Sequence, residues 1–208
     1  MWTRRGFLGG SLAAGVGYIA LPTSKSASAG TLPAEAWAGK LIAAARSQIG
    51  VTLVYDPAYS RIAYPDGDVD RAKGVCTDVI VRAYRDGLGL DLQRLVHEDM
   101  RQAFSAYPVT WGLTRPDSNI DHRRVPNLET FLERRKAGRP IGTSGLDYQP
   151  GDIVTQRLPG NRPHILLASD ELSADGARPL MIHNIGGGTQ IEDMLFAYRV
   201  TGHYRYPG

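Results

Sequence analysis

The hydrophobic period of this chain changes once, near Tyr148, and that change limits the folds open to it. Before it, apolar residues recur at helical spacing: Trp37, Leu41, Ile42, Ala45 and Ile49 in one segment, then Val79, Ile80, Ala83 and Tyr84 in "CTDVIVRAYRDGLG". Gly50 is the expected stop of the first helix and Asp86-Gly87 of the second. Two more helices are predicted, in "DLQRLVHEDMRQAFSAYP" up to Pro108 and in "NLETFLERRKAG" with Asn127 as N-cap. After Tyr148, "GDIVTQRL", "HILLASDE", "LMIHNIG" and "HYRYPG" are short, strand-like and divided by turn residues. Helices in one half and strands in the other predict an α+β fold, with N-terminal helices packed on a small antiparallel sheet. Between "VTLVYD" and the second helix, residues 56–74 are rich in Pro, Gly and Asp and read as a long surface loop.

The N-terminus stands apart. "TRRGFL" carries paired Arg4 and Arg5 before Phe7 and Leu8, a weakly apolar run follows to Pro22, and "ASA" closes at Ala29. This is the pattern of a twin-arginine export signal with a small-residue cleavage site. The expected organisation is a signal at 1–29 and one domain at 30–208, working in the periplasm or otherwise outside the cytoplasmic membrane. An uncleaved signal would be the only membrane attachment. The run is short and Gly-rich for a spanning helix, though an uncleaved anchor stays open. The formal charge of +3 also comes from this segment: it holds three of the 24 basic residues and none of the 21 acidic ones. The remaining chain is neutral and lacks the cation surplus that nucleic-acid binding needs.

Export makes the single cysteine a question. One thiol cannot close an intrachain bridge, so Cys76 is a reactive group, a link to a second chain, or a small buried residue. A monomer is expected. Cys76 opens the second predicted helix, where free N–H groups and the helix dipole favour a thiolate. A cysteine nucleophile also needs a base, and the base needs a group to fix its ring. His164 opens the strand "HILLASDE" and His183 lies in the next, "LMIHNIG". If the two strands pair, both imidazoles can share one face.

The order of these parts resembles the NlpC-type cell-wall cysteine peptidases of the papain-like superfamily. The matching positions are Gln48-Ile49-Gly50, Tyr55, Cys76, Gly151-Asp152, His164 and His183, and the resemblance spans roughly 43–188. Val75 and Asp78 replace the aspartate and glycine usual around the cysteine. The long helical insert, with "VHEDM", "YPVTWGL" and "NIDHRRVPNL", resembles domain-of-unknown-function family 1287. The resemblance implies a papain-like fold and an exported hydrolase cutting amide bonds in cell-wall peptides through an acyl-enzyme. It implies Cys76 as nucleophile, His164 as base and acid, and His183 as its orienting partner. Asn184 is the fallback orienter, on the opposite strand face from His183. The Cys76 N–H and the Tyr55 hydroxyl would serve an oxyanion hole. Asp78 would bind a cationic substrate group, order the loop or be a surface charge favoured by the helix dipole, and "IDHRRVP", with Asp121, His122, Arg123 and Arg124, would clamp a substrate carboxylate or form a surface salt-bridged loop. An acyltransferase on the same triad and a non-catalytic envelope binding protein are the alternatives.

No cofactor or metal is expected. Asp66, Asp68 and Asp70 fall on Arg71 and Thr77 where a calcium loop needs Gly and Glu. Cys76, His164 and His183 could in principle hold zinc, but no local spacing demands it. "IGGGTQ" lacks the Lys-Ser/Thr of a phosphate loop and reads as a turn that lets a ligand or backbone come close.

Overall fold

A computed structural model describes residues 30–207; the predicted signal lies outside them. The helical half gives α1 (Ala36–Arg46), α2 (Cys76–Leu88), α3 (Leu92–Gln102) and α4 (Val125–Arg134). The other half gives β3 (Ile153–Leu158), β4 (Arg162–Leu172), β5 (Pro179–Asn184), β6 (Thr189–Glu192) and β7 (Arg199–Tyr204). These five form one antiparallel sheet in the order β6-β5-β4-β3-β7. The mixed α+β fold is the one that the single change of period predicts.

The sheet buries both faces, unequally. Ile153, Ile165, Leu167, Ile182 and Tyr204 meet Leu41, Ile42, Val79, Ile80 and Phe131 in the main core under the helices. Val154, Leu166, Ala168 and Met181, at the alternate positions, join Tyr148 and Leu195 in a smaller cluster on the other face. Continuous apolar strings such as "ILLA" are what a strand covered on both sides requires.

Boundaries differ from the sequence reading in instructive ways. α2 runs past Asp86-Gly87 to Leu88 and is closed by Gly89, whose φ of 67° needs a residue tolerant of the left-handed region. α3 stops at Gln102, and a 3-10 turn, Phe104–Ala106, fills the space before Pro108. α4 begins two residues before Asn127; Pro126 sits in its first turn, where a missing N–H costs nothing, and the Asn127 amide donates to the Asp121 carbonyl. Thr189–Glu192 is a strand that the glycine-rich turn hid. Gly188, at φ 87°, leaves no space for a Cβ, which would lie 2.4 Å from the Thr52 carbonyl oxygen. Thr189 N–H donates to that same carbonyl, which fastens the sheet edge to the chain entering the site.

The loop of residues 56–72 is bracketed by two short strands, β1 (Val54–Tyr55) and β2 (Lys73–Gly74), paired in parallel. Its anchor is Arg82, fully buried, which donates to Asp68, to Thr52 and to the carbonyls of Val69, Asp70 and Lys73. Asp68 therefore answers an arginine. Asp70 accepts from Ala72 N–H.

Candidate active site

The site begins where β2 ends. The short parallel pair sets Tyr55 beside Gly74, and two residues later α2 opens at Cys76. Val75 has no side chain with which to cap the helix, so Asp78 reaches back and accepts the Val75 N–H at 2.7 Å. As the first helical residue, Cys76 has an N–H with no intrahelical acceptor. Cys76 is 4% exposed, and its thiol receives backbone N–H groups from Thr77 and Ile165. Burial dominates and pushes the thiol up to about 11.

The two strand histidines meet. β4 and β5 pair antiparallel, and His164 Nε2 lies 3.1 Å from His183 Nδ1, with the rings edge to face. The chain continues: His183 Nε2 lies 3.1 Å from Glu192 Oε2 on β6. A carboxylate can only accept, so His183 donates from Nε2 and its Nδ1 accepts from His164 Nε2–H. That fixes His164 as the tautomer whose Nδ1 carries the bare lone pair, the form a general base needs. Burial pulls His164 down to about 3, helped by His183, so the ring is neutral. The hydrogen bond from His183 holds Glu192 below the usual carboxylate range. Glu192 was missed in the sequence because its strand was read as a turn. Alternation in "TQIE" (Gln190 opposite His183, Glu192 two residues on) was the available signal.

The thiol meets the backbone of β4 beside His164 but not the imidazole itself. The thiol rests on the N–H of Ile165, the residue after His164. Alternation sends the Ile165 side chain into the main core with Cys76 and the His164 ring to the other face of the sheet, where Leu166 and His183 lie. Among the described residues no hydrogen bond joins Cys76 to an imidazole, so the expected thiol–imidazole contact is not made.

The remaining candidates divide sharply. Tyr55 lines the same pocket as Cys76; burial first, then the Cys76 thiol, push its phenol up to about 12. Asp78 and Arg123 are committed to each other. Arg123 Nε and a terminal nitrogen meet the two carboxylate oxygens at 2.9 and 3.0 Å, and the guanidinium also holds the Ala58 and Asp56 carbonyls. Asp78 thus orders the loop and caps the cysteine helix rather than facing a cationic ligand. Asn184 is used structurally: it donates to the Gly74 carbonyl at 3.1 Å and accepts from Gly186 N–H. His122 does not reach the pocket. It is buried with Nδ1 unpartnered, and desolvation pulls it down to about 3.

The pocket over Cys76 measures about 180 Å³ and is walled by Val75, Ile120, Val125, Pro126 and Pro163, with Trp111 and Arg124 from the insert. His164 Nε2 and both His183 nitrogens are spent on one another and on Glu192. Among the described residues no three His, Cys, Asp or Glu side chains are placed to hold one metal ion.

Comparison with known proteins gives the lineage. Residues 42–206 match a family described as Domain of unknown function (DUF1287). The chain belongs to the DUF1287 family. It is 57% identical over 162 residues to "Uncharacterized protein YijF" of Escherichia coli (strain K12), covering 78% of each chain. The DUF1287 match takes in the cysteine helix, the insert and all five sheet strands, so the site described here lies wholly within the family region.

Proposed function

We propose that this DUF1287 chain is an exported cysteine hydrolase of papain-like, NlpC-type architecture that cleaves amide bonds in cell-wall peptides. The observation that carries the reading is the Glu192–His183–His164 relay, which ends on a strand residue whose next N–H touches the Cys76 thiol. The substrate class follows the resemblance to cell-wall peptidases, and the export follows the twin-arginine pattern at residues 1–29.

Burial disfavours both charged forms, so Cys76 and His164 rest as a neutral pair rather than an ion pair. Chemistry then follows general-base logic. The ring and the thiol lie on opposite sheet faces, so as the substrate carbonyl enters, the thiol proton passes to His164 Nδ1 through water round the exposed start of β4, while Sγ bonds to the carbonyl carbon. The Cys76 N–H and Tyr55 hydroxyl donate to the oxyanion. His164 returns the proton to the leaving amine as the C–N bond breaks, and water, deprotonated by His164, hydrolyses the thioester. Glu192 stabilises the transient imidazolium through His183.

A second reading has its own support: the high thiol pKa and the absence of a thiol–imidazole bond suit a binding protein that keeps the pocket without the chemistry. One experiment separates the two. Protein from Gly30 and its Cys76→Ala variant are incubated with purified peptidoglycan, and soluble fragments are read by mass spectrometry. New peptide termini that vanish with Cys76→Ala are expected. Fragments from neither protein, with binding to peptidoglycan retained by both, would leave the binding protein.

A further inference from the structure

Two adjacent arginines face the pocket and only one is spoken for. Arg123 is consumed by Asp78 and two carbonyls. Arg124 donates no hydrogen bond found among the described residues. One terminal nitrogen, Nη1, is sealed from solvent without a partner. The guanidinium lies 4.2 Å over the Trp111 ring, which fixes its plane but satisfies none of its N–H groups. The carboxylates in its field are Asp121 and Asp117. Asp121 is turned to His97 and to the Asp117 N–H, and Asp117 to Tyr59 and Asn119. Asp121 Oδ1 is itself unpartnered, so the two charges attract at a distance without bonding. The unmet N–H marks a guanidinium that the fold leaves uncommitted, and its other N–H groups, which donate to no described residue, can meet an anion docking in the pocket that Arg124 lines.

We propose that Arg124 and Trp111 form a subsite that receives a carboxylate of an acyl-peptide substrate beside the Cys76 thiol. The inference rests on the reading of this pocket as an acyl-peptide site and adds what the peptide must carry. Arg124 and Cys76 wall one pocket of about 180 Å³, so the carboxylate falls within a few bonds of the reacting carbonyl. A planar carboxylate matches the guanidinium fork bidentately. The apolar walls of Val75, Ile120, Val125 and Pro126 suit a peptide carrying that carboxylate better than a hydrated inorganic anion.

The test reads binding without turnover, on the full chain carrying Cys76→Ala. Acetyl-alanyl-glutamyl-lysine amide and its glutaminyl twin are titrated by calorimetry, with inorganic phosphate as a third probe. The acidic peptide is expected to bind about tenfold tighter than its twin. Adding Arg124→Gln should abolish that preference and leave the twin's affinity unchanged, and Arg124→Lys should restore part of it. Thermal midpoints confirm that each variant is folded. Equal affinities for the two peptides, binding of neither, a preference that survives Arg124→Gln, or phosphate binding as tight as the acidic peptide would each overturn the subsite. Failed hydrolysis on cell walls would remove the catalytic reading and leave this measurement standing. Hydrolysis that proceeds without any carboxylate preference would remove the subsite alone.

Discussion

At the scale of single residues, the chemistry of the proposed site turns on which atom carries a proton. Glu192 dictates this through two imidazoles, so Glu192→Gln should scramble the tautomers without moving the backbone. Its side chain is 41% exposed, so solvent screens the charge; a fall in turnover of about a hundredfold is expected, below the ten-thousandfold of a buried triad aspartate. The KM for the same cell-wall peptide should hold. A matched loss in KM would instead mark Glu192 as a binding residue. The thiol gives a second prediction. With a pKa near 11, Cys76 should be alkylated slowly by iodoacetamide at pH 7, the rate rising about tenfold per pH unit above it. An apparent pKa well below that of a free thiol would show that His164 is drawn onto the sulfur in solution. Neither Glu192 nor the high thiol pKa was legible in the sequence: one depends on a strand edge, the other on how deeply a helix start is covered.

Secondary-structure elements explain why so much else could be read in advance. Long periodic segments such as α2 and β4 declare themselves, because their apolar faces are set by packing on both sides of the pattern. So does the His164–His183 pairing, which follows from two adjacent strands with a short return. What the sequence hides is how polar side chains are spent. Asp78, Arg123 and Asn184 look like ligands for a substrate, yet each closes a gap in the scaffold around β2 and the start of α2. The Asp78–Arg123 pair is 4% and 2% exposed, so breaking it leaves a buried charge. Arg123→Met should cost about 3–5 kcal/mol in urea unfolding, and pairing it with Asp78→Asn should recover much of that. If both single variants unfold at the wild-type midpoint, the pair is not what holds the cysteine helix to the insert.

For the molecule as a whole, the same burial that quiets the site sets its response to acid. His122 in the insert and His164 in the sheet are both pulled from an ordinary 6.5 down to about 3 by desolvation. Between those values the unfolded chain binds a proton at each position and the folded chain does not. Stability therefore rises with pH across this window, is fully present above about 6.5, and is lost as pH falls towards 3. Each histidine contributes a slope of about 1.4 kcal/mol per pH unit, so at pH 4.5 the pair costs about 5 kcal/mol, comparable to the whole stability of a modest domain. Urea midpoints measured from pH 7 to pH 4 should fall steeply before most carboxylates titrate. His122→Leu removes one of the two protonation sites and also the unpartnered Nδ1, so it should roughly halve the slope while changing little at pH 7. His164 must stay neutral to offer the lone pair that a base needs, so its share of the acid sensitivity goes with the proposed chemistry. His122 has no such part, and its share comes from a polar ring enclosed by the insert. A flat profile between pH 6.5 and 4.5 would mean that the folded chain accepts both protons, and that these rings are wetter than their packing implies.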